Sequence, residues 1–254
     1  MKPVALVTGA RRGIGLGIAK ALAGKGFDLA ITDVVNDEAA EAAVTALEEL
    51  GAKVSFHAAD IADLAGHAGS VAAVLDTHGR IDSLVNNAGI GSKVRGDFLD
   101  LEPANFDAIV SINLRGTIFF TQAVLREMLA ARRAATARSV INVTSVSAEM
   151  TSPERLDYCM TKAALAAFTQ GLAVRLADQG ISVFDVRPGI IRSDMTSVAA
   201  AKYDKLIAEG LVPMKRWGEP ADLGRIVAAL ASGDFNFATG SIINADGALS
   251  ISRL

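Results

Sequence analysis

Six times in succession a short apolar run gives way to a stretch of helical spacing, with no linker, low-complexity tract or internal repeat between them. Val4–Thr8 (VALVT) and Ser83–Asn86 (SLVN) are such runs, and residues 27–32, 53–59, 139–144, 181–186 and 241–244 read the same way. They lack the alternation of a strand with one wet face, as strands buried on both faces of a parallel sheet do. The pattern predicts one domain over residues 1–254. It is an α/β, Rossmann-type doubly wound sheet of about seven parallel strands, with helices on both faces and right-handed crossovers. Helices are expected at 16–24, at 37–50 with Asn36 as cap, up to about 78, at 103–133, at 153–178 and from Pro220 to about 231. Residues 190–218 carry Met, Lys and Gly but no strand, and are expected to form a substrate lid.

The first strand runs into TGARRGIG, with Gly9, Gly13 and Gly15 before the first helix. Glycines here let the backbone turn and approach a phosphate at the helix N-terminus, although a tight turn alone would also use them. Asp33 ends the second strand 18 residues after Gly15, where a carboxylate bonds the ribose hydroxyls of NAD and repels a 2′-phosphate. Arg11 and Arg12 pull toward NADP, but Val34 follows Asp33 where a base would offset it, so NAD is favoured. Asp60, ending the third strand, can meet an adenine amino group, cap the next helix, or both. Asn86 and Asn87, with Ala88 and Gly89, close the fourth strand facing the ligand crevice, though turn chemistry would also explain them.

Residues 139–165 read as a strand, a polar bend and a helix bearing Tyr158 and Lys162 four apart, hence on one face. Ser145 lies just beyond the strand. A hydroxyl, a phenol and an ammonium meeting there suit proton transfer to or from a substrate oxygen.

Composition excludes several classes. A net charge of −3 gives no reason to expect nucleic acid or an acidic membrane as partner. Cys159, the only cysteine, permits neither an intrachain disulfide nor a thiolate metal cluster and fits a reducing cytosol. His57, His67 and His78 lack zinc-helix spacing and are expected on loops or the surface, with no metal site. No signal peptide and no apolar run of about 18 residues is evident, so a cytoplasmic protein is expected.

TGxxxGIG at 8–15, NNAG at 86–89, Asn113, Ser145, Tyr158-x-x-x-Lys162 and Pro188-Gly189 occur together and in order. Over its whole length the chain resembles the short-chain dehydrogenases/reductases. The resemblance implies NAD(P)-dependent hydride transfer on an alcohol or carbonyl, in a homotetramer. It makes Tyr158 the acid/base, Ser145 the holder of the substrate oxygen, and Lys162 the ribose ligand that favours the phenolate. Asn113 would hold a proton-relay water. Arg11, Arg12, Ile14, Ile61, Ala88, Gly89, Pro188, Gly189, the Ile191 backbone and the Ser193 hydroxyl join the cofactor site by the same resemblance.

The departures are mild: YCMTK at the tyrosine, Ser193 where Thr is commoner, and Asp246-Gly247-Ala248 where DGG is usual. Within the family the chain looks like members labelled 3-oxoacyl-acyl-carrier-protein reductase. Such reductases usually run on NADPH, which Asp33 argues against. An acidic carrier protein would need a basic face, which Arg126, Arg132, Arg133 and Arg138 would supply unless they are merely solvated. NAD suits oxidation of a polyol- or sugar-like substrate, in a pocket lined by Lys93, Arg95, Glu149, Arg155 and the lid. That is the favoured expectation, with the oxoacyl reductase as alternative. A catalytically silent nucleotide sensor is a remote third, since a sensor needs no Ser/Tyr/Lys/Asn set. The long helices around Asn113 and Tyr158 are expected to meet symmetry mates in a four-helix interface.

Overall fold

A computed structural model describes residues 2–131, 136–197 and 199–253. Seven strands pair in parallel in the order β3-β2-β1-β4-β5-β6-β7. They are β1 (Val4–Thr8), β2 (Asp28–Asp33), β3 (Val54–Ala58), β4 (Ser83–Asn86), β5 (Arg138–Val143), β6 (Ile181–Pro188) and β7 (Ile242–Ala245). The order reverses direction between β1 and β4, which opens a crevice at the carboxyl edge. One apolar cluster, with Ile18, Leu22 and Leu223, covers one face of the sheet; another, with Leu84, Val124 and Leu176, covers the other.

The helices are α1 (Gly13–Gly24), α2 (Glu38–Glu48), α3 (His67–His78), α4 (Pro103–Val110), α5 (Thr117–Ala130), α6 (Leu156–Leu176), α7 (Asp194–Ser197), α8 (Ala200–Ala208) and α9 (Pro220–Ala231). Several differ from expectation. The first begins at Gly13, so the glycine turn is itself the first helical turn. The second is capped by Asp37, not Asn36: the Asp37 carboxylate accepts from the Ala39 and Ala40 N–H groups. The expected helix at 103–133 divides into α4, a π-helical turn at Ser111–Gly116, and α5. Its expected end at 133 lies outside the described residues. Residues 190–218 hold α7, α8 and a parallel bridge from Ile191 to Gly218, a more regular arrangement than the sequence suggests. Residues 103–130 are long and apolar enough by composition to cross a membrane, yet their apolar side packs on the sheet.

α1 and α9 approach so closely that neither tolerates a side chain at the crossing. A Cβ on Gly224 would lie 2.4 Å from the Gly17 carbonyl oxygen, and one on Gly17 would lie 2.6 Å from Pro220. Gly224→Ala is therefore expected to destabilise the fold by about 1–3 kcal/mol, because backbone and not a flexible tip must yield. Differential scanning calorimetry should show Tm falling by several degrees.

The histidines are not loop or surface residues. His67 is buried edge-on against Phe120 and its Nε2 lies 2.9 Å from the Ile61 carbonyl oxygen. His57 and His78 both meet the Ser55 hydroxyl through Nε2, each at 2.8 Å. Burial pushes both pKa values below the ordinary 6.5, and Lys53 adds to this at His78. The unfolded chain thus binds protons more readily here, so the stabilisation is complete above pH about 6.5 and drains away as pH falls toward the lowered folded values. Tm is expected to drop between pH 7.5 and 5. A His57→Gln/His78→Gln double variant should flatten that slope, and an unchanged slope would contradict the assignment.

Candidate active site

The glycine turn is built for close approach. Gly9 and Gly13 have φ of +65° and +57°. A Cβ on Gly15 would strike the Gly9 carbonyl oxygen at 2.2 Å. Asn87 braces the turn, its amide donating to the Thr8 and Gly9 carbonyls at 2.9 Å each. The Thr8 hydroxyl in turn accepts from the Asn87 and Ala88 N–H groups. Asn86 does not face the crevice: it is buried and donates to Thr121 at 2.8 Å and to Asn142 at 2.7 Å. Neighbouring strand residues point to opposite faces, so only one of the two asparagines could serve the turn.

Asp33 stands at one end of the crevice, its side chain 17% exposed, accepting from the Arg11 and Val34 N–H groups. The Arg11 guanidinium is drawn to Asp37, with its Nε 3.9 Å from Asp33. Arg12 pairs across the cleft with Asp194 of α7 at 2.8 Å. Both arginines are thus met by carboxylates. Asp60 accepts from the Ala62 N–H and caps that turn; the helical segment that follows is capped by Asp63.

At the other end of the crevice, the Ser145 hydroxyl oxygen accepts from the Ser147 N–H at 3.0 Å, which leaves its hydrogen free to donate. Tyr158 and Lys162 are buried on α6. Lys162 Nζ donates to the Val143 carbonyl at 3.1 Å and lies 5.7 Å from the phenol ring centroid. Asn113 sits in the π turn, fully engaged: its amide oxygen accepts from the Ile90 N–H and its amide nitrogen donates to the Ile90 carbonyl, both at 2.8 Å. A Cβ on Gly89 would lie 3.1 Å from the Asn113 oxygen and 3.8 Å from Lys162 Nζ, so Asn113 stands behind Gly89, close to the lysine.

One cavity of about 790 Å³ joins the two ends. The residues singled out from the sequence for cofactor or catalysis line it, Ile14, Ile61, Pro188, Gly189, Ile191 and Ser193 included, except Asn86 and Asn113. Arg95 and Arg155 also line it; Lys93 and Glu149 do not. Glu149 instead pairs with the buried Arg187, which also bonds Asp185 at 2.8 Å. Burial alone would lower the Arg187 pKa, but the hydrogen bonds its guanidinium donates to Asp185 and Glu149 outweigh it and hold the pKa above its ordinary value. Asp185 also accepts from the Thr144 hydroxyl, tying β6 to the strand end that carries Ser145. Tyr203 of α8 and Thr196, both within the segment expected to cover the pocket, line the cavity, and the Thr196 hydroxyl bonds the Ile191 carbonyl at 2.7 Å beneath Ser193. Sequence reasoning missed Leu249 near the C-terminus, which reaches the cavity from a distant segment.

Of the four arginines read as a solvated run or a docking face, two lie within the described residues. Arg138 is buried and donates to the Met128 and Gln179 carbonyls, while Arg126 is exposed. Arg132 and Arg133 lie outside the described residues. Cys159 is buried and unbonded, as core packing requires.

A family model described as Enoyl-(Acyl carrier protein) reductase matches residues 9–250. The 3-oxoacyl-[acyl-carrier-protein] reductase of Chlamydia pneumoniae is 37% identical over 247 residues, covering 96% of this chain and 95% of that protein. The crystal structure of a 3-oxoacyl-[acyl-carrier protein] reductase from Brucella melitensis in complex with NAD is 63% identical, with a TM-score of 0.98 over 100% of this chain and 99% of that one. The chain belongs to the short-chain dehydrogenase/reductase family. A second Brucella melitensis structure of that description is 62% identical, with a TM-score of 0.95 over 100% and 99% of the two chains. As a member of the family, the protein is an NAD(P)-dependent oxidoreductase acting on CH–OH and keto groups.

Proposed function

We propose that this short-chain dehydrogenase/reductase interconverts a 3-oxoacyl and a 3-hydroxyacyl group with NAD(H). The observation that carries the reading is a single cavity with Asp33 at one end and Ser145, Tyr158 and Lys162 at the other. The names of the relatives favour the oxoacyl substrate over the polyol- or sugar-like one expected from the sequence. The second reading keeps some support, because Arg95 and Arg155 make the substrate end polar.

The cradle fits a dinucleotide, since Cβ atoms on Gly9 or Gly15 would collide with its own backbone. Gly13, Ile14, Asn87, Pro188, Gly189 and Ile191 would hold the cofactor along its length, with Asp33 on the adenosine ribose. The bound nicotinamide supplies the hydride for reduction and accepts it in oxidation. Tyr158 gives its proton to the ketone oxygen as the alcohol forms, and takes it back in the reverse direction. Ser145 donates its free hydrogen to the same oxygen and holds its developing charge. Lys162, anchored at Val143, has two N–H groups left for a ribose, and its ammonium favours the phenolate in oxidation. The whole chain works as one domain, with residues 190–218 closing over the substrate.

The test follows NADH absorbance with a 3-oxoacyl N-acetylcysteamine thioester beside a panel of polyols and sugars. Turnover of the thioester supports the reading, turnover confined to polyols supports the second, and silence with all of them refutes both.

The assembly is a cytoplasmic homotetramer in this reading. Phe119 and Leu129 on α5, with Met160 and Val174 on α6, expose apolar surface, Val174 to 82%. Light scattering is expected to give about four times the 26.3 kDa chain mass. A monomer at micromolar concentration would contradict it.

A further inference from the structure

Among the described residues, Arg155 is a half-buried cation on the cleft wall with no carboxylate partner; of the other cations there without one, Lys162 is anchored on the Val143 carbonyl and Arg95 is exposed. Arg11 and Arg12 each meet an aspartate there. Arg155 forms no ion pair among the described residues, and its guanidinium donates to the Ser147 hydroxyl at 3.2 Å. Its guanidinium lies 5.3 Å from the Tyr158 ring centroid and lines the same cavity. None of the nearby carboxylates forms an ion pair with it, although one oxygen of Asp157 has no hydrogen-bond partner among the described residues. Asp157, off the cavity wall, is buried and accepts from the Ser92 hydroxyl at 2.5 Å and from the Tyr158 N–H at 2.8 Å. Glu154 faces Lys202, and Asp194 is held by Arg12. Arg155 also immediately precedes the 21-residue helix α6, whose N-terminus adds the positive end of its dipole.

A half-buried guanidinium with donors to spare, 5.3 Å from the centre of the Tyr158 ring, is suited to hold an anion beside that phenol. We propose that Arg155 binds a free carboxylate of the substrate, so that the preferred substrate is a short 2- or 3-hydroxy acid and its oxo acid. A carboxylate one or two carbons from the reacting centre spans the gap between the phenol oxygen and the guanidinium. A carrier thioester is neutral at that position and leaves the arginine unanswered. The inference rests on the secondary alcohol–ketone reading above and replaces the carrier with a free acid.

The test compares reduction of 3-oxobutanoate and of ethyl 3-oxobutanoate with NADH, whose reacting ketones are identical. The wild type is expected to prefer the acid, chiefly through KM. In Arg155→Met the acid-to-ester ratio of kcat/KM is expected to fall about ten- to a hundredfold, the worth of a charged hydrogen bond. Arg155→Lys should restore part of it. A ratio unchanged by Arg155→Met, or a wild type preferring the ester, overturns the proposal. Calorimetric titration of malonate into the enzyme–NAD complex reads the subsite without turnover. Binding that weakens at least about tenfold in Arg155→Met supports it, even if neither ketone is reduced and the oxoacyl reading falls. Failure of malonate to bind the wild type overturns it.

Discussion

Tyr158→Phe is expected to lower kcat by about 10²–10⁴ while the dissociation constant for NAD stays within about twofold. The change removes one oxygen and no packing, and the ring remains where Lys162 and Arg155 flank it. Ser145 could still donate to the substrate oxygen, but among the described residues its hydroxyl is bonded by the Ser147 N–H and by no histidine or other base. It therefore cannot take over the proton. Stopped-flow measurement of NADH oxidation, beside a fluorescence titration of NADH, separates chemistry from binding. A variant that keeps more than about a tenth of wild-type kcat would remove Tyr158 from the proton's path.

Asp33→Ser is expected to weaken NAD and improve NADP, and the size of the gain depends on a second carboxylate. Without Asp33, Arg11 is still drawn to Asp37, so the single change should shift the NADP-to-NAD ratio of kcat/KM by about tenfold. Asp37→Asn keeps an oxygen for the Ala39 and Ala40 N–H groups while removing the charge that occupies Arg11. The double variant Asp33→Ser/Asp37→Asn should add about another tenfold, because the freed guanidinium can meet a 2′-phosphate. Steady-state kinetics with both cofactors decides it. A wild type already preferring NADP would show that Asp33 does not govern the choice.

What the sequence disclosed was local chemistry. The glycine spacing, the acid closing the second strand, and the Tyr/Lys pair one helical turn apart each declare themselves within a single element. Pairings between distant elements stayed hidden. Asn86 and Asn87 read alike until β5 places Asn142 opposite the first of them. The expectation that Arg11 competes with Asp33 missed Asp37, 26 residues on, which answers its charge. Glu149 looked like a pocket residue because its partner, Arg187, lies on another strand. Arg138 looked like surface charge because nothing in its neighbours shows that two carbonyls from different segments receive it. Leu249 has no local signature for reaching a cavity.

The π turn at Ser111–Gly116 amounts to one residue more than the path requires. Excising that residue would leave a plain α-helix whose downstream face is unchanged, so Thr121 would still meet Asn86 and Phe120 would still meet His67. The loss would be local. Asn113 lies inside the π turn, where its amide meets both the N–H and the carbonyl of Ile90. The widened turn therefore places one side chain and leaves the rest of the helix indifferent to it. A single-residue deletion between Ser111 and Gly116 is expected to fold, by circular dichroism, and to lose most of its NADH-linked activity.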